Sequence, residues 1–403
     1  MNTTCTTIPG HPALEESISI VAGLPFHPLA QEEALQECMR MIEDPLPNYL
    51  VTANSDFAAR ADRDPELKRI VFHADRILCD GQPLVWFSRL FKCPIPERVA
   101  GSDLVFPLLQ KCAENGKRVY FMGTSEKNLE RLTRKLRERL PNLVISGSFA
   151  PPVGAIEEWD NARIVAKIRA ARPQLLLVAL GCPKQEKWID RFARPAGIPL
   201  SIGVGASLDF ITGAQVRAPR WIRKIGFEWL WRLLNDPRRL FQRYLVDAYY
   251  LAVLNLRQWL SVEKIRPLAN ATPMEHPSLN AIARVIVLSG DIDADRIPTL
   301  PVPSAPLKQP LVLDCSRVRL LDSSGIGFLV RLSRLARQSG QAMCLLQPSP
   351  AVASVIETVK LQDQLPVLHT VDDALAHIAA TPENEPGHLA PFANQAAPAS
   401  RFG

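Results

Sequence analysis

Asp80 is the side chain of this sequence that most directly suggests catalysis. It stands immediately before Gly81 and directly after the short apolar run Arg76–Cys79. A carboxylate at such a position could accept a proton from a substrate hydroxyl as a general base. The same position is equally typical of an aspartate that caps a turn or a helix. The residue types alone leave both interpretations open.

Two other groups of polar residues also follow apolar runs. Thr52 and Asn54 lie at the end of the run Tyr49–Ala53, where they could hold a ligand or cap the next helix. The turn Gly123-Thr124-Ser125 would present backbone N–H groups at a helix start, which favours a phosphate. Ordinary helix capping explains this turn equally well. Gly123 and Thr124 are therefore candidate substrate-binding residues, with capping as the alternative.

Common cofactor and metal motifs are incomplete in this sequence. Gly203-Val-Gly205 begins like a dinucleotide fingerprint, but Leu208 stands where the third glycine belongs, and no P-loop pattern occurs. Asp62-Arg63-Asp64 precedes Pro65 and is typical of a solvated helix end rather than of a metal site. Asp291-Ile-Asp293-Ala-Asp295 is too short for a calcium loop. We therefore expect no cofactor and no metal.

A basic and aromatic stretch covers residues 217–254. It contains seven Arg and one Lys against three acidic residues, and thus most of the net charge of +6. Three Trp and three Tyr are interleaved with these charges. Such helices suit a surface that meets phosphates or lipid headgroups. The alternative is a helical hairpin with core aromatics and solvated arginines.

The composition is that of a globular protein with two domains. The 403 residues are 47% apolar and 22% charged, and the positive charge in one stretch does not indicate nucleic acid. The eight Cys show no CxxC pair and no zinc spacing, which suggests reduced thiols in the cytosol. We find no signal peptide and no apolar run of about 18 residues, so nothing is expected to span a membrane.

Apolar runs alternate with helical patterns through the first 204 residues, which predicts a mostly parallel α/β sheet. Ligands then belong at the carboxyl ends of the strands. The predicted strands are Ile18–Val21, Tyr49–Ala53, Arg76–Leu78, Arg118–Met122, Leu143–Ile145, Leu175–Ala179 and Leu200–Val204. The predicted helices are Gln31–Ile42, Asp103–Glu114, Lys127–Leu140, Asn161–Ala171 and Pro183–Phe192.

The domain plan follows from changes in composition. We predict a disordered N-terminus at 1–16, a Rossmann-like core at 17–216 and a helical appendage at 217–260. A polar linker at 261–280 leads to a smaller α/β domain at 281–380, with strands Ala283–Leu288, Pro310–Leu313 and Ala342–Leu346. Three helices accompany these strands: Ser324–Ser339, Ala351–Lys360 and Val371–Ala379. The Pro/Ala-rich tail at 381–403 is predicted to be disordered.

The order of motifs resembles the WecG/TagA/CpsF family of bacterial glycosyltransferases over residues 18–250. The motifs that carry the resemblance are Thr52-Ala-Asn54, Asp80-Gly81, Arg98-Val-Ala-Gly-Ser102-Asp103, Gly181-Cys-Pro-Lys184-Gln185-Glu186, Gly203-Val-Gly205, Arg217-Ala-Pro219, Glu228-Trp229 with Arg232, and Pro237 with Arg239 and Arg243-Tyr244. The resemblance implies inverting, metal-independent transfer of an N-acetylmannosamine-type or related hexose from a UDP-sugar to an undecaprenyl-diphosphate-linked acceptor. It also implies that the protein acts at the cytoplasmic face of the cell membrane.

The resemblance assigns roles to individual residues. Asp80 becomes the base, and Thr52 and Arg98 become catalytic residues beside it. Substrate-binding roles fall to Asn54, Gly81, Ser102, Asp103, Lys184, Gln185, Glu186, Arg232, Arg239 and Arg243, with Arg238 as an alternative to Arg239. Without a metal, fixed arginines and helix N-termini must stabilise the departing diphosphate. The stretch 217–254 then becomes a lid over the cleft, with Trp231, Tyr249 and Tyr250 at the lipid edge and Trp229 in the core.

The second domain resembles a STAS domain, the fold of anti-sigma-factor antagonists. The resemblance rests on Leu311-Val-Leu313-Asp314 and on Leu320-Leu-Asp322-Ser323-Ser324-Gly325-Ile326-Gly327. It implies Ser323 as phosphorylation candidate, with Ser324 second, and a kinase or other regulatory protein as partner. Alternatively the serines only cap the helix, and the domain serves for docking or nucleotide sensing.

We therefore expect a glycosyltransferase that acts in exopolysaccharide or related cell-surface glycan synthesis, peripheral on the cytoplasmic membrane. The rival hypothesis is a catalytically inactive nucleotide-sugar sensor that signals through the STAS domain. The residues above favour the enzyme, because a sensor has no use for a complete set of catalytic side chains.

Overall fold

A computed structural model describes residues 18–90, 94–213, 218–219, 222, 228–235, 237–263, 277–301, 303 and 306–380. The segments predicted to be disordered, 1–16 and 381–403, lie outside this part of the chain, as do Arg217 and Trp221.

The chain begins with a small antiparallel hairpin of β1 (Ser19–Val21) and β2 (Leu24–Phe26). The first strand was predicted from its apolar run, but it does not join the main sheet. Its residues Ile18 and Ile20 pack instead into the core of the second domain. The hairpin thus connects the two domains.

The main sheet has six parallel strands in the order β4-β3-β8-β7-β5-β6. These strands are β3 (Asn48–Ala53), β4 (Arg76–Cys79), β5 (Arg118–Gly123), β6 (Val144–Phe149), β7 (Leu175–Ala179) and β8 (Leu200–Gly203). The central strands carry continuous buried apolar residues, as a sheet covered on both faces requires. The prediction of a mostly parallel α/β sheet is confirmed.

Nine helices of the described chain cover this sheet on both faces. They are α1 (Gln31–Glu43), α2 (Ser55–Ala61), α3 (Pro65–His73), α4 (Gln82–Ser88), α5 (Gly101–Glu114), α6 (Glu126–Arg139), α7 (Asn161–Ala171), α8 (Lys184–Trp188) and α9 (Ser207–Thr212). The short helices α2, α3, α4 and α9 were not predicted, because six to nine residues give a weak periodic signal. Asp62 ends α2 and Asp64 caps the start of α3, as the helix-end interpretation predicts, but the Asp62 side chain is 10% exposed and paired with Lys360 rather than solvated.

The appendage contains α10 (Glu228–Asn235) and the long helix α11 (Pro237–Glu263). Helix α11 packs against α2 with Leu251 and Leu254, which belong to the core of the first domain. It extends past residue 260, so the start of the predicted linker is helical.

The second domain is a four-stranded parallel sheet in the order β12-β11-β10-β9, with helices around it. Its elements are α12 (Pro277–Asn280), β9 (Arg284–Ile292), β10 (Leu311–Leu321), α13 (Ser323–Gln338), β11 (Met343–Leu346), α14 (Pro350–Thr358), β12 (Val367–Leu368) and α15 (Val371–Ala380). A smaller α/β domain at this place was predicted and is confirmed. The two-residue strand β12 was not predicted, and α12 lies at the end of the segment that was predicted to be a linker.

Candidate active site

A cavity of about 480 Å³ lies at the carboxyl ends of β3 and β4 and is covered by the appendage. Among its lining residues are five that the sequence predicted: Asn54, Asp80, Gly81, Arg98 and Ser102. Helices α10 and α11 close the opposite side with apolar and aromatic side chains and with two carboxylates, Glu228 and Asp247. Strand ends and appendage therefore build one site together.

Asp80 and Arg98 form the charged centre of this cavity. Arg98 Nη1 lies 3.7 Å from Asp80 Oδ1 and 3.2 Å from Glu228 Oε2, and Arg98 Nη2 lies 3.2 Å from Asp103 Oδ2. The Asp80 backbone N–H donates to Ala53 O at 2.9 Å, which ties the loop after β4 to the end of β3. Three carboxylates from three different elements thus share one guanidinium.

Asn54 and Gly81 show how tightly the two strand ends are packed. Asn54 Oδ1 accepts a hydrogen bond from Phe57 N at 3.0 Å, so this side chain caps α2 while it also lines the cavity. A Cβ atom at Gly81 would lie 3.4 Å from Asn54 Cα and 3.2 Å from Leu84 Cδ1. Glycine at this position lets Asp80 sit directly above the end of β3.

Thr52 lies on β3 one step before the cavity and is not among its lining residues. Its Oγ1 is 3.2 Å from the position that a Cβ atom at Gly101 would occupy. The glycine therefore allows the first turn of α5 to approach β3 closely. That turn carries Ser102 and Asp103. In this structure Thr52 therefore packs against the turn that carries these two residues and does not itself line the cavity.

Gln185 and Glu186 form a second, buried cluster at the ends of β7 and β8. Gln185 Nε2 donates to Glu186 Oε1 at 2.7 Å, and Gly205 N donates to Gln185 Oε1 at 3.0 Å. Burial raises the pKa of Glu186 to about 7, against the opposing effect of the Gln185 hydrogen bond. Gly203 leaves room for Gln185, because a Cβ there would lie 2.7 Å from Gln185 Nε2. In this structure, Gly203 of the incomplete dinucleotide motif leaves space for this glutamine, and Gly205 donates a hydrogen bond to it.

The remaining predicted ligands of the core domain point elsewhere. Lys184 Nζ donates to Gly154 O at 2.5 Å and lies over the Trp159 ring, away from the cavity. Ser125 Oγ caps α6 by accepting from Asn128 N, and Thr124 N donates to Ala179 O at 3.0 Å. Capping is therefore what the turn at Gly123 and Thr124 does in this structure.

The appendage supplies site residues for which the sequence predicts no role. Tyr244, Asp247 and Leu251 line the cavity from one face of α11, at the i, i+3 and i+7 positions. This spacing is a signal that could have identified them. Trp229 was expected in the core, but it is 38% exposed, lines the cavity and makes an edge contact with Tyr244. The expectation for Trp229 was wrong, because the cavity lies between α10 and the sheet.

Three predicted diphosphate ligands belong to the same appendage. Arg232 lies on α10, and Arg239 and Arg243 lie on α11, but their side chains are outside the described part of the chain.

Ser323 and Ser324 open α13 in the second domain, yet neither caps it. Asp322 is the capping residue, and its Oδ1 accepts from Gly325 N at 2.9 Å. The two serines are 4% and 8% exposed, respectively. The backbone of Ile18 lies directly on the next helical turn, where a Cβ at Gly327 would be 2.8 Å from Ile18 O. A kinase could reach Ser323 only after this region opens.

A larger cavity of about 830 Å³ lies between α6 and the edge strand β6. Its walls mix acidic and basic side chains, and it contains none of the predicted site residues. We prefer the smaller cavity as the active site, because it collects the polar residues at the strand ends. Within the described residues no group of His, Cys, Asp or Glu is arranged to hold a metal ion.

This arrangement can carry out proton transfer to or from a bound hydroxyl. Asp80 is partly exposed to the cavity, and the adjoining wall of Trp86, Phe87, Trp229 and Tyr244 offers an apolar surface for a ring or a lipid. A general base next to an apolar wall suits a polar acceptor carried on a hydrophobic chain.

Comparisons with known proteins identify both domains. The glycosyl transferase WecG/TagA/CpsF family matches residues 19–265, and the Mlab, STAS domain family matches residues 276–369. The N-acetylglucosaminyldiphosphoundecaprenol N-acetyl-beta-D-mannosaminyltransferase of Bacillus spizizenii is 32% identical over 206 residues, which are 51% of this chain and 78% of the relative. The enzyme of the same name from Staphylococcus aureus strain MW2 is 31% identical over 192 residues, 48% of this chain and 74% of the relative.

Proposed function

The chain belongs to the WecG/TagA/CpsF family of glycosyl transferases, and from this premise we propose that it moves a hexose from a UDP-sugar to an undecaprenyl-diphosphate-linked acceptor. The names of the two relatives supply the precedent for the acceptor and for an N-acetylmannosamine-type sugar. The reaction inverts the anomeric centre and needs no metal. Exopolysaccharide or another cell-surface glycan is the product.

The observation that carries this proposal is the position of Asp80 in the cavity. The carboxylate lies at the carboxyl end of β4, within 3.7 Å of Arg98 and next to the apolar wall. Asp80 takes the proton of the acceptor hydroxyl as that oxygen attacks the anomeric carbon and the bond to UDP breaks. The lipid carrier of the acceptor lies along Trp86, Trp229 and Tyr244.

The departing diphosphate needs positive charge. Arg98 is already shared by three carboxylates, so it positions Asp80 more readily than it clamps a phosphate. Arg232, Arg239 and Arg243 of the appendage are the candidates for the diphosphate. One such donor is worth on the order of 10²–10³ in rate.

The decisive experiment is transfer by the purified chain, with the mass of the product as readout. A panel of UDP-sugars is tested against undecaprenyl-diphosphate-linked N-acetylglucosamine. Asp80→Asn is expected to lower turnover by at least about 10²-fold. Asp56→Asn is the matched control, because Asp56 lines the same cavity but is paired with Arg60 at 2.9 Å. Near wild-type turnover of Asp80→Asn contradicts the assignment of the base, and binding of a UDP-sugar without turnover by the wild type favours the sensor hypothesis.

We also propose that α11 holds the enzyme at the membrane surface. Phe241, Leu245, Tyr249 and Leu256 are each more than half exposed and lie on one face of the helix. The opposite face, with Leu251 and Leu254, is buried against the first domain. None of the helices in the described ranges is long and apolar enough to cross a bilayer. A helix with one exposed apolar face suits insertion at the lipid headgroup level.

For the STAS domain we propose docking within the same chain as its role. Lys68 Nζ of α3 donates to Val359 O at 2.6 Å, at the end of α14. Lys360 Nζ in turn lies 2.7 Å from Asp62 Oδ1, at the end of α2. Each lysine thus stands at the negative end of a helix of the other domain. Burial lowers the pKa of Lys68 to about 8, so the contact forms at a real desolvation cost.

This docking brings the STAS domain to the elements that build the active site. Helix α14 packs against α11, and Thr358 and Val359 lie beside Leu254 at a small interface cavity. Leu251, one turn earlier, lines the active-site cavity. Phosphorylation of Ser323 remains a further proposal, and mass spectrometry of the chain from growing cells is its test. Permanently unmodified serines would leave docking as the only role.

A further inference from the structure

Glu228 is the acidic residue through which the appendage reaches the charged centre of the site. Its Oε2 accepts a hydrogen bond from Arg98 Nη1 at 3.2 Å. The same nitrogen is the one nearest to Asp80, at 3.7 Å from Oδ1. Glu228 is the first residue of α10, whereas Asp80 and Arg98 belong to the core domain. One nitrogen atom therefore joins the lid and the base.

The burial of these groups makes their interaction strong. The side chain of Glu228 is 8% exposed, that of Arg98 is 15% exposed and that of Asp80 is 25% exposed. Charges removed from water are less screened than surface charges. Glu228 is thus held as a buried acid whose partner is also the partner of Asp80.

The competition for Arg98 sets how strong a base Asp80 is. A neighbouring guanidinium stabilises the carboxylate and weakens it as a base, and a neighbouring carboxylate has the opposite effect. Asp103 holds the second nitrogen, Nη2, at 3.2 Å. Among the described residues, the other charged groups that line the cavity are Asp56, which is paired with Arg60, and Asp247 of α11. Without the Glu228 carboxylate, Arg98 Nη1 would be available to pair with Asp80.

We propose that Glu228 is a positioning residue that makes Asp80 a competent base when α10 is docked over the cleft. Glu228 draws the Arg98 guanidinium away from Asp80 and adds a negative charge beside it. The acceptor then meets a strong base only in the closed cleft. This inference rests on the proposed function, in which Asp80 takes the proton of the acceptor.

The test is the pH dependence of kcat/KM for the full chain with a UDP-sugar and a lipid-linked acceptor. Glu228→Gln keeps the size and the hydrogen-bond acceptor but removes the charge. Its acidic limb should move to lower pH by about one unit, because Asp80 loses a like charge. The plateau value of kcat should fall about tenfold, because the base is weaker. Glu228→Asp keeps the charge and should keep the wild-type position of the limb. Glu114→Gln, at the far end of α5, removes one charge at a distance and should change neither.

An unmoved acidic limb in Glu228→Gln, with any change in rate, overturns the inference and leaves Glu228 a structural role. If Glu228→Gln does not fold, Asp103→Asn tests the same relationship, since it too frees Arg98 for Asp80, and an unmoved limb there has the same meaning. Different results would contradict the proposed function itself. It fails if the wild type does not turn over, or if Asp80→Asn is as active as the wild type.

Discussion

Lys360 of the STAS domain lies 2.7 Å from Asp62, the residue that ends helix α2 of the transferase domain. Asn54 of the active-site cavity caps the start of helix α2, which is only seven residues long. One short helix therefore has the active site at its start and the second domain at its end. The docked STAS domain therefore contacts this helix as well as α11.

Reversal of this ion pair should lower turnover. Lys360→Glu places a like charge beside Asp62 and the negative end of α2, so we expect the domain contact to weaken and kcat to fall several-fold. The loss of folding free energy should stay below about 1 kcal/mol, because the Lys360 side chain is 46% exposed. The measurement is kcat of the full chain beside its unfolding in urea.

The charge-swapped double variant Lys360→Glu with Asp62→Lys should recover part of the activity. Arg319→Glu is the control, because it reverses a charge whose partner Asp291 lies in the same domain. Equal activity of Lys360→Glu and the wild type would show that this contact does not act on the cleft.

Glu186 should give the protein a pH-dependent stability. Its pKa is raised from 4.5 to about 7 by burial, so the folded state holds a proton that the unfolded state releases between these values. This contribution of Glu186 to the free energy of unfolding is present in full below about pH 4.5 and is lost as the pH rises through about 7. Its size is on the order of 3 kcal/mol.

Glu186→Gln removes this dependence while it keeps an acceptor for Gln185. The free energy of unfolding of both proteins is measured in urea from pH 4 to pH 8. As the pH rises, the wild type should therefore lose stability relative to the variant. Parallel curves would mean that folding does not raise the pKa of Glu186.

Gly203→Ala should damage the site without unfolding the sheet. The new Cβ would lie 2.7 Å from Gln185 Nε2 and 2.9 Å from Gln185 Cδ, so the glutamine has to move. The family resemblance assigns Gln185 to substrate binding, and a displacement of about 1 Å in such a group can reduce kcat/KM by about 10²-fold. Thermal unfolding and kcat/KM of the same preparation provide the measurement.

Ser201→Ala on the same strand is the control for this prediction. Ser201 Oγ is buried and has no hydrogen-bond partner in the described part of the chain, so its removal should leave activity unchanged. A folded and fully active Gly203→Ala protein would place Gln185 outside the reaction.

The exposed face of α11 should determine membrane binding. Phe241→Ser with Tyr249→Ser removes two large side chains from this face, and each buried aromatic contributes roughly 1.5–3 kcal/mol. Binding to vesicles that contain anionic lipid should weaken by more than about tenfold. The control is Leu46→Ser with Ile282→Ser, which removes two exposed apolar side chains from other surfaces. Equal loss in both double variants would argue against α11 as the contact.

Much of the core domain could be predicted from local patterns. The six strands of the main sheet are short apolar runs between polar loops, and their carboxyl ends carry Asn54, Asp80 and Gly81, which meet in one cavity as expected. The order of motifs also indicated the family, which the comparisons confirm. Short elements were missed, because β2 and α2 to α4 have too few residues for a clear period.

The sequence by itself determined which residues stand at the strand ends and which domains the chain contains, because both depend on neighbours along the chain. Only the tertiary structure decided what those residues contact. Arg98 meets Glu228 across 130 positions, Lys68 meets Val359 across 291, and Lys184 turns away from the cavity. Such contacts depend on how α10, α11 and the second domain pack on the sheet, and side-chain packing between distant segments leaves no periodic signal in the chain.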